Sequence, residues 1–76
     1  MIRVDEHSYL FLIERGDASF GAWAPDLPGC VATAETLEDC ERLMREAIAF
    51  HLDGMRAEGE QLPEPSVAAA SVAPAA

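Results

Sequence analysis

Three acids, Asp26, Glu35 and Glu38, lie close together in the middle of the chain, and two cysteines, Cys30 and Cys40, stand among them. Carboxylates that converge on one point can hold a divalent ion and orient an attacking water, which would make a small metal-dependent nuclease or hydrolase working through Asp26. That chemistry needs several acids at one site, and no spacing signature marks these three as a ligand set. An aspartate between prolines equally accepts hydrogen bonds from nearby turn amides, and this structural reading is preferred for Asp26. Cys30, Cys40 and His51 could supply three zinc ligands, but the paired C-x-x-C and H-x-x-x-H spacings do not occur, so no metal site and no cofactor is expected. Cys40 falls on an apolar helical stripe and reads as a small buried hydrophobe, and Cys30 reads the same way. A nucleophilic pairing of Cys30 with His7 or His51 would need an activating contact that the sequence does not display. Glycine-rich phosphate loops, a Ser-His-Asp arrangement and basic-aromatic stripes are missing as well, and the chain is read as a non-enzyme.

The elements around these residues are legible from pattern. "SYLFLIER", Ser8 to Arg15, is rich in aromatic and branched residues and too short for a helix, so it predicts a strand. Both of its faces are apolar, Tyr9, Phe11 and Ile13 on one and Leu10 and Leu12 on the other, as in a strand covered on both sides. One cover is a helix; the other side is open to a second subunit. Gly16 and Asp17 supply a tight turn, and "ASFGAWAP" continues as an antiparallel second strand. In "PDLPGC", Pro25 and Pro28 fix their own φ and hold Ala24 and Leu27 extended, while Gly29 can take a turn geometry closed to other residues. "CVATA" then alternates as a third strand.

A long helix is predicted from about Leu37 to Glu58, announced by Thr36 with Asp39 three residues later, a variant of the capping box. Leu37, Cys40, Met44, Ala47, Ile48, Leu52 and Met55 recur at spacings of three and four and form one apolar stripe that should face the sheet. Glu38 with Arg42, and Glu41 with Arg45, stand at i,i+4 with the acid first and describe a solvated face. Leu43 and Phe50 form a second, narrower ridge with Ala47 and Gly54 that is available for contact. Gly59 caps the helix end, and "LPEPS" imposes an extended exit. In the alanine-rich tail, residues 67–76, Val67 and Val72 could bring a short fourth strand back to the sheet before the end frays.

Composition narrows the partners. The chain has 76 residues and a formal charge of −9, with fourteen acids against five basic residues, all arginine. That balance repels nucleic acid and anionic membranes and attracts a basic protein, although acidity that serves only solubility remains the plain alternative. A chain this short buries only about 60% of its unfolded surface, so a two-layer fold completed by a homodimer or higher oligomer is expected. The apolar run near the start is far too short to span a membrane or act as a signal, and two cysteines are too few for a disulfide framework, so a cytoplasmic protein is expected.

The aromatic strand, "PDLPGC", the "TLED" that begins six residues beyond its cysteine, "REAI" in the helix and the closing "LPEPS" together resemble the HicB-like antitoxin family over roughly residues 8 to 66. The resemblance implies a degenerate ribonuclease-H-like domain without a catalytic carboxylate set. It also implies a partner, a small basic HicA-type toxin that cleaves messenger RNA and whose RNA-binding surface the antitoxin masks. Members of the family commonly carry a carboxy-terminal DNA-binding module, whereas here an alanine-rich tail follows, so no direct nucleic-acid binding is expected of this chain alone.

The combined reading is an α+β domain over residues 1–66 with an alanine-rich tail at 67–76. Its three- to four-stranded, antiparallel-containing sheet has the order β-β-β-α-β, with one long helix packed on it. Partner contact is expected at Trp23, Asp26, Leu27 and Glu35 around the proline corner, and self-association at Leu10, Leu12, Leu43 and Phe50. An orphan self-assembling domain and the Asp26 hydrolase stand as the alternatives.

Overall fold

A computed structural model describes residues 1–65 and shows five elements in the order β1 (Ile2–Val4), β2 (Leu10–Arg15), β3 (Phe20–Trp23), β4 (Val31–Ala34) and α1 (Leu37–Ala57). The four strands form one antiparallel sheet in sequential order, β1-β2-β3-β4, and α1 covers one face of it. The α+β class, the antiparallel sheet and the single long helix agree with expectation. The expected short strand at Val67 and Val72 lies outside the described residues.

Strand β1 was not expected, and its turn explains why. Three residues are too few to display a period, and no Gly or Pro marks the reversal that follows. The reversal is built by a side chain: Asp5 Oδ1 accepts from the amides of His7 at 3.0 Å and Tyr9 at 2.8 Å, and the ring Nδ1 of His7 lies 3.1 Å from Asp5 Oδ2. The backbone closes around the same residue, with the Ser8 amide donating to Asp5 O and the Asp5 amide to Tyr9 O. Ser8 sits at φ 71°, a conformation that non-glycine residues rarely adopt and that these bonds hold in place. Asp5 is thereby the one buried charged residue among those described.

The helix-facing side of the sheet carries Tyr9, Phe11 and Ile13 from β2 and its approach, and Ala22 from β3. These pack with Leu27, Cys30 and the α1 stripe Cys40, Met44, Ile48 and Leu52. Small residues in the middle of the sheet let the helix approach closely. Thr36 caps α1 from an extended backbone, its Oγ1 accepting from the Asp39 amide at 3.1 Å. At the other end the Glu60 amide reaches Met55 O and the Gly59 amide reaches Arg56 O, with Gly59 at φ 73°. This is the Schellman arrangement that a glycine at that position favours.

Ion pairing on α1 departs partly from the predicted pattern. Glu41 and Arg45 pair at 3.1 Å, but Arg42 turns to Glu46 at 3.1 Å and Asp39 at 3.4 Å instead of to Glu38. Glu41 also holds Arg3 of β1 at 3.1 Å, and Arg45 donates to Val4 O at 3.2 Å with its guanidinium 5.3 Å from the Phe11 ring centroid. Hydrogen bonds from Arg45 and then Arg3 hold the Glu41 carboxyl below the usual range. Two arginines and one glutamate thus fasten the short strand β1 to the helix.

Candidate protein-docking surface

The proline corner is two consecutive β-turns sharing Leu27. The Leu27 amide donates to Ala24 O at 3.1 Å, and the Cys30 amide donates to Leu27 O at 3.0 Å. Pro25 and Pro28 each occupy the second position of their turn, where φ near −65° is required, and Gly29 at φ 84° fills the third position of the second turn, the arrangement of a type II turn. The shared residue points inward. Leu27 is 1% exposed and belongs to the core, which corrects its assignment as a partner contact. The other three are not buried, Trp23 and Glu35 being exposed and Asp26 half-buried, but the register pairs Trp23 with Val31 and Phe20 with Ala34, which sets Glu35 at the opposite end of β3 and β4 from the corner.

The sheet face away from the helix carries one cross-strand row, Ile2, Leu12, Trp23 and Val31, set by the register of the four strands. Ile2, Trp23 and Val31 are exposed. Leu10 on this face is only 1% exposed in the isolated chain, so it offers no surface for self-association, while Leu12 is half-buried. Beyond β4, the α1 ridge is half-buried at Leu43 and Ala47 and ends in Phe50, which at 82% exposure is the most exposed large hydrophobe among the described residues. Val31 joins the two surfaces, lining shallow depressions both with Trp23 and with Phe50.

The other chemically capable residues have structural surroundings. Cys30 and Cys40 are buried and unbridged, and burial pushes both thiols up, Cys30 further through the charge of Asp5. A thiol so placed stays protonated near neutral pH, the opposite of an activated nucleophile, although Cys30 and His51 border the same depression. Among the described residues no group of three His, Cys, Asp or Glu side chains is placed to hold a metal ion. No described helix is long and apolar enough to cross a membrane.

Tyr9, the sole tyrosine, joins the approach to β2 to the chain beyond the helix, its hydroxyl donating to Pro63 O. Burial raises its phenol above the ordinary value, and the charges of Asp5, Asp26 and Glu64 add to that while Arg56 opposes it. A raised folded value favours the protonated form, so this contribution to stability is complete below about pH 10 and is lost as pH rises through the folded value. We expect absorbance titration of the single phenol to show a midpoint above that of the urea-unfolded chain, and Tyr9→Phe to lose the tyrosine share of the alkaline decline in the urea midpoint. Coincident midpoints in folded and unfolded protein would remove this account.

The profile of the family described as HicB_like antitoxin of bacterial toxin-antitoxin system matches residues 9–75. A 14.9 kDa uncharacterized protein from the rep-hol intergenic region of Haemophilus phage HP1 is 36% identical over 56 residues, covering 74% of this chain and 42% of that protein. The chain therefore spans about two-fifths of that relative's length. No solved structure matches the chain at a significant level. With the double-turn corner, the capped helix and a match that extends over most of its residues, this chain belongs to the HicB_like antitoxin family.

Proposed function

We propose that the protein is the antitoxin of a toxin-antitoxin pair and neutralises a small basic HicA-type toxin by covering the surface with which the toxin binds messenger RNA. The observation that carries this reading is the family match over residues 9–75, and the charge of −9 supports it, because a basic toxin is drawn to it and RNA is not. The role is non-enzymatic, and an antitoxin against an RNA-cleaving toxin acts in the cytoplasm, where the RNA is. Trp23 is the proposed anchor, with Asp26 three residues on and Glu35 at the far end of β4, since large aromatic side chains at desolvated centres dominate interface energies.

The test is co-purification with the small basic protein encoded by a neighbouring gene, at low and at moderate salt, followed by an RNA-cleavage assay. A one-to-one complex that weakens with salt and silences cleavage is the expected result. A chain that neither binds that protein nor slows its cleavage of RNA ends the proposal. Within such a complex, Trp23→Ala is expected to cost about 2 kcal/mol of affinity, roughly thirty-fold, and an unchanged dissociation constant in a folded variant would remove Trp23 from the interface.

The open row Ile2, Leu12 and Trp23 favours a second reading, a domain that assembles with itself. Sedimentation of the purified chain decides it: mass that rises with concentration supports self-assembly, and a monomer throughout rejects it.

A further inference from the structure

Among the described residues, β4 has a neighbouring strand on one side only, so backbone groups along its other edge face outward. Natural edge strands are usually blunted by charge, proline or a bulge, because an open edge recruits other strands. The β4 sequence Val31-Ala32-Thr33-Ala34 carries no charge and no proline. Edge strand β1 differs, being three residues long and held to α1 through Arg3 and the Val4 carbonyl.

Apolar depressions flank the β4 edge on both sides. On the open sheet face, Gly21 leaves a shallow hollow bordered by Trp23, Val31 and Thr33. On the helix side, Leu43, Ala47 and Phe50 form a second hollow with Val31. A strand laid along β4 would send alternate side chains into the two hollows while its backbone satisfies the outward groups, the geometry by which extended peptides add to sheets.

Charge selects the occupant. Glu58 and Glu60 stand around the helix-side hollows and the exposed Glu35 follows β4 directly, so two copies meeting here would bring like charges together. Residues 66–76 carry no charged side chain, so the acids around this edge give them no attraction to it. We propose that the β4 edge, flanked by Trp23 on one face and by Leu43 and Phe50 on the other, is the docking site for an extended segment of a basic protein partner, which adds to the sheet as a fifth strand. This rests on the antitoxin reading and gives that partner its point of attachment. It also assigns Leu43 and Phe50 to the partner instead of to a second copy.

The test is amide hydrogen exchange on the full-length chain, alone over a range of concentrations and then with the basic protein encoded by the neighbouring gene, together with the binding of Phe50→Glu. The expected result is slowed exchange at some amides of residues 31–34 in the complex alone, and affinity reduced about thirty-fold or more in Phe50→Glu with its helix content intact. A complex that silences the toxin while leaving those amides unprotected and ignoring Phe50→Glu overturns the docking site but leaves the antitoxin reading standing. Protection already present in the chain alone overturns it too, by assigning the edge to a second copy if protection depends on concentration and to the chain's own tail if it does not. Absence of any complex removes both readings together.

Discussion

Replacing Phe11 with alanine is expected to cost about 4 kcal/mol and to lower the urea midpoint of the chain steeply. Phe11 is 0% exposed and is the second residue of β2, on the face that receives α1. Truncation of a buried phenylalanine removes its transfer free energy and leaves a cavity that the surroundings only partly fill, which together amount to about 3–5 kcal/mol. A domain of this length has a total stability of about 4–11 kcal/mol, so the loss is a large part of the whole. It also strips Arg45 of the ring it lies against, loosening the arginine that holds the Val4 carbonyl. Urea denaturation followed by helical circular dichroism measures it. A midpoint within about 1 kcal/mol of the parent would mean that the helix does not depend on this packing.

Asp5→Ala is expected to cost about 3 kcal/mol, as much as a core truncation, although it removes no apolar contact. The carboxylate is 1% exposed on its side chain and accepts two backbone amides and the His7 ring. Hydrogen bonds to a charged group are each worth about 1.5–3 kcal/mol, and deleting the acceptor strands buried donors away from water. Ser8 would then keep its left-handed backbone without the bonds that hold it. Asp5→Asn retains one oxygen facing both amides and is expected to lose only about 1 kcal/mol, so the two variants separate hydrogen-bond acceptance from charge. Equal destabilisation by both would place the effect in the charge and not in the turn.

Asp5 and Asp26 illustrate how far local pattern reaches. Both are aspartates near turns, and the sequence drew attention to Asp26 because prolines bracket it. Proline and glycine impose φ values on their own residues, so the corner and its turn chemistry could be read from "PDLPG" alone. A turn built by a side chain has no such mark, since Asp5 acts by reaching the amides of residues two and four positions ahead, and many aspartates in loops do not. Strand β1 was missed for the same reason, its only signal being a three-residue apolar-polar-apolar pattern whose pairing depends on that turn.

Inward and outward orientation divides along the same line. On α1 the period of 3.6 residues separates the buried stripe from the Leu43 and Phe50 ridge, and the structure agrees with both. On β2 the alternation separated Phe11 and Ile13, which pack against the helix, from Leu10 and Leu12, yet it could not show that Leu10 is covered within the chain while Leu12 on the same face stays half-exposed. Leu27 lies in a segment with no period at all. Only the joining of two turns at that residue sends it into the core.

The sequence by itself determined the elements whose signal is local: the capped helix and its stripe, the central hairpin, the proline corner, the acidic balance, and the family that those motifs mark. Backbone preference and periodicity act within a few residues, so a single chain read in order displays them. The tertiary structure alone decided that Ile2, Leu12, Trp23 and Val31 share one row, that β4 is an edge strand among the described residues, and that Phe50 stands beside it. These relations join residues that are far apart in the chain and near in space, set by strand register and by the packing of α1, and a candidate docking surface consists of such relations.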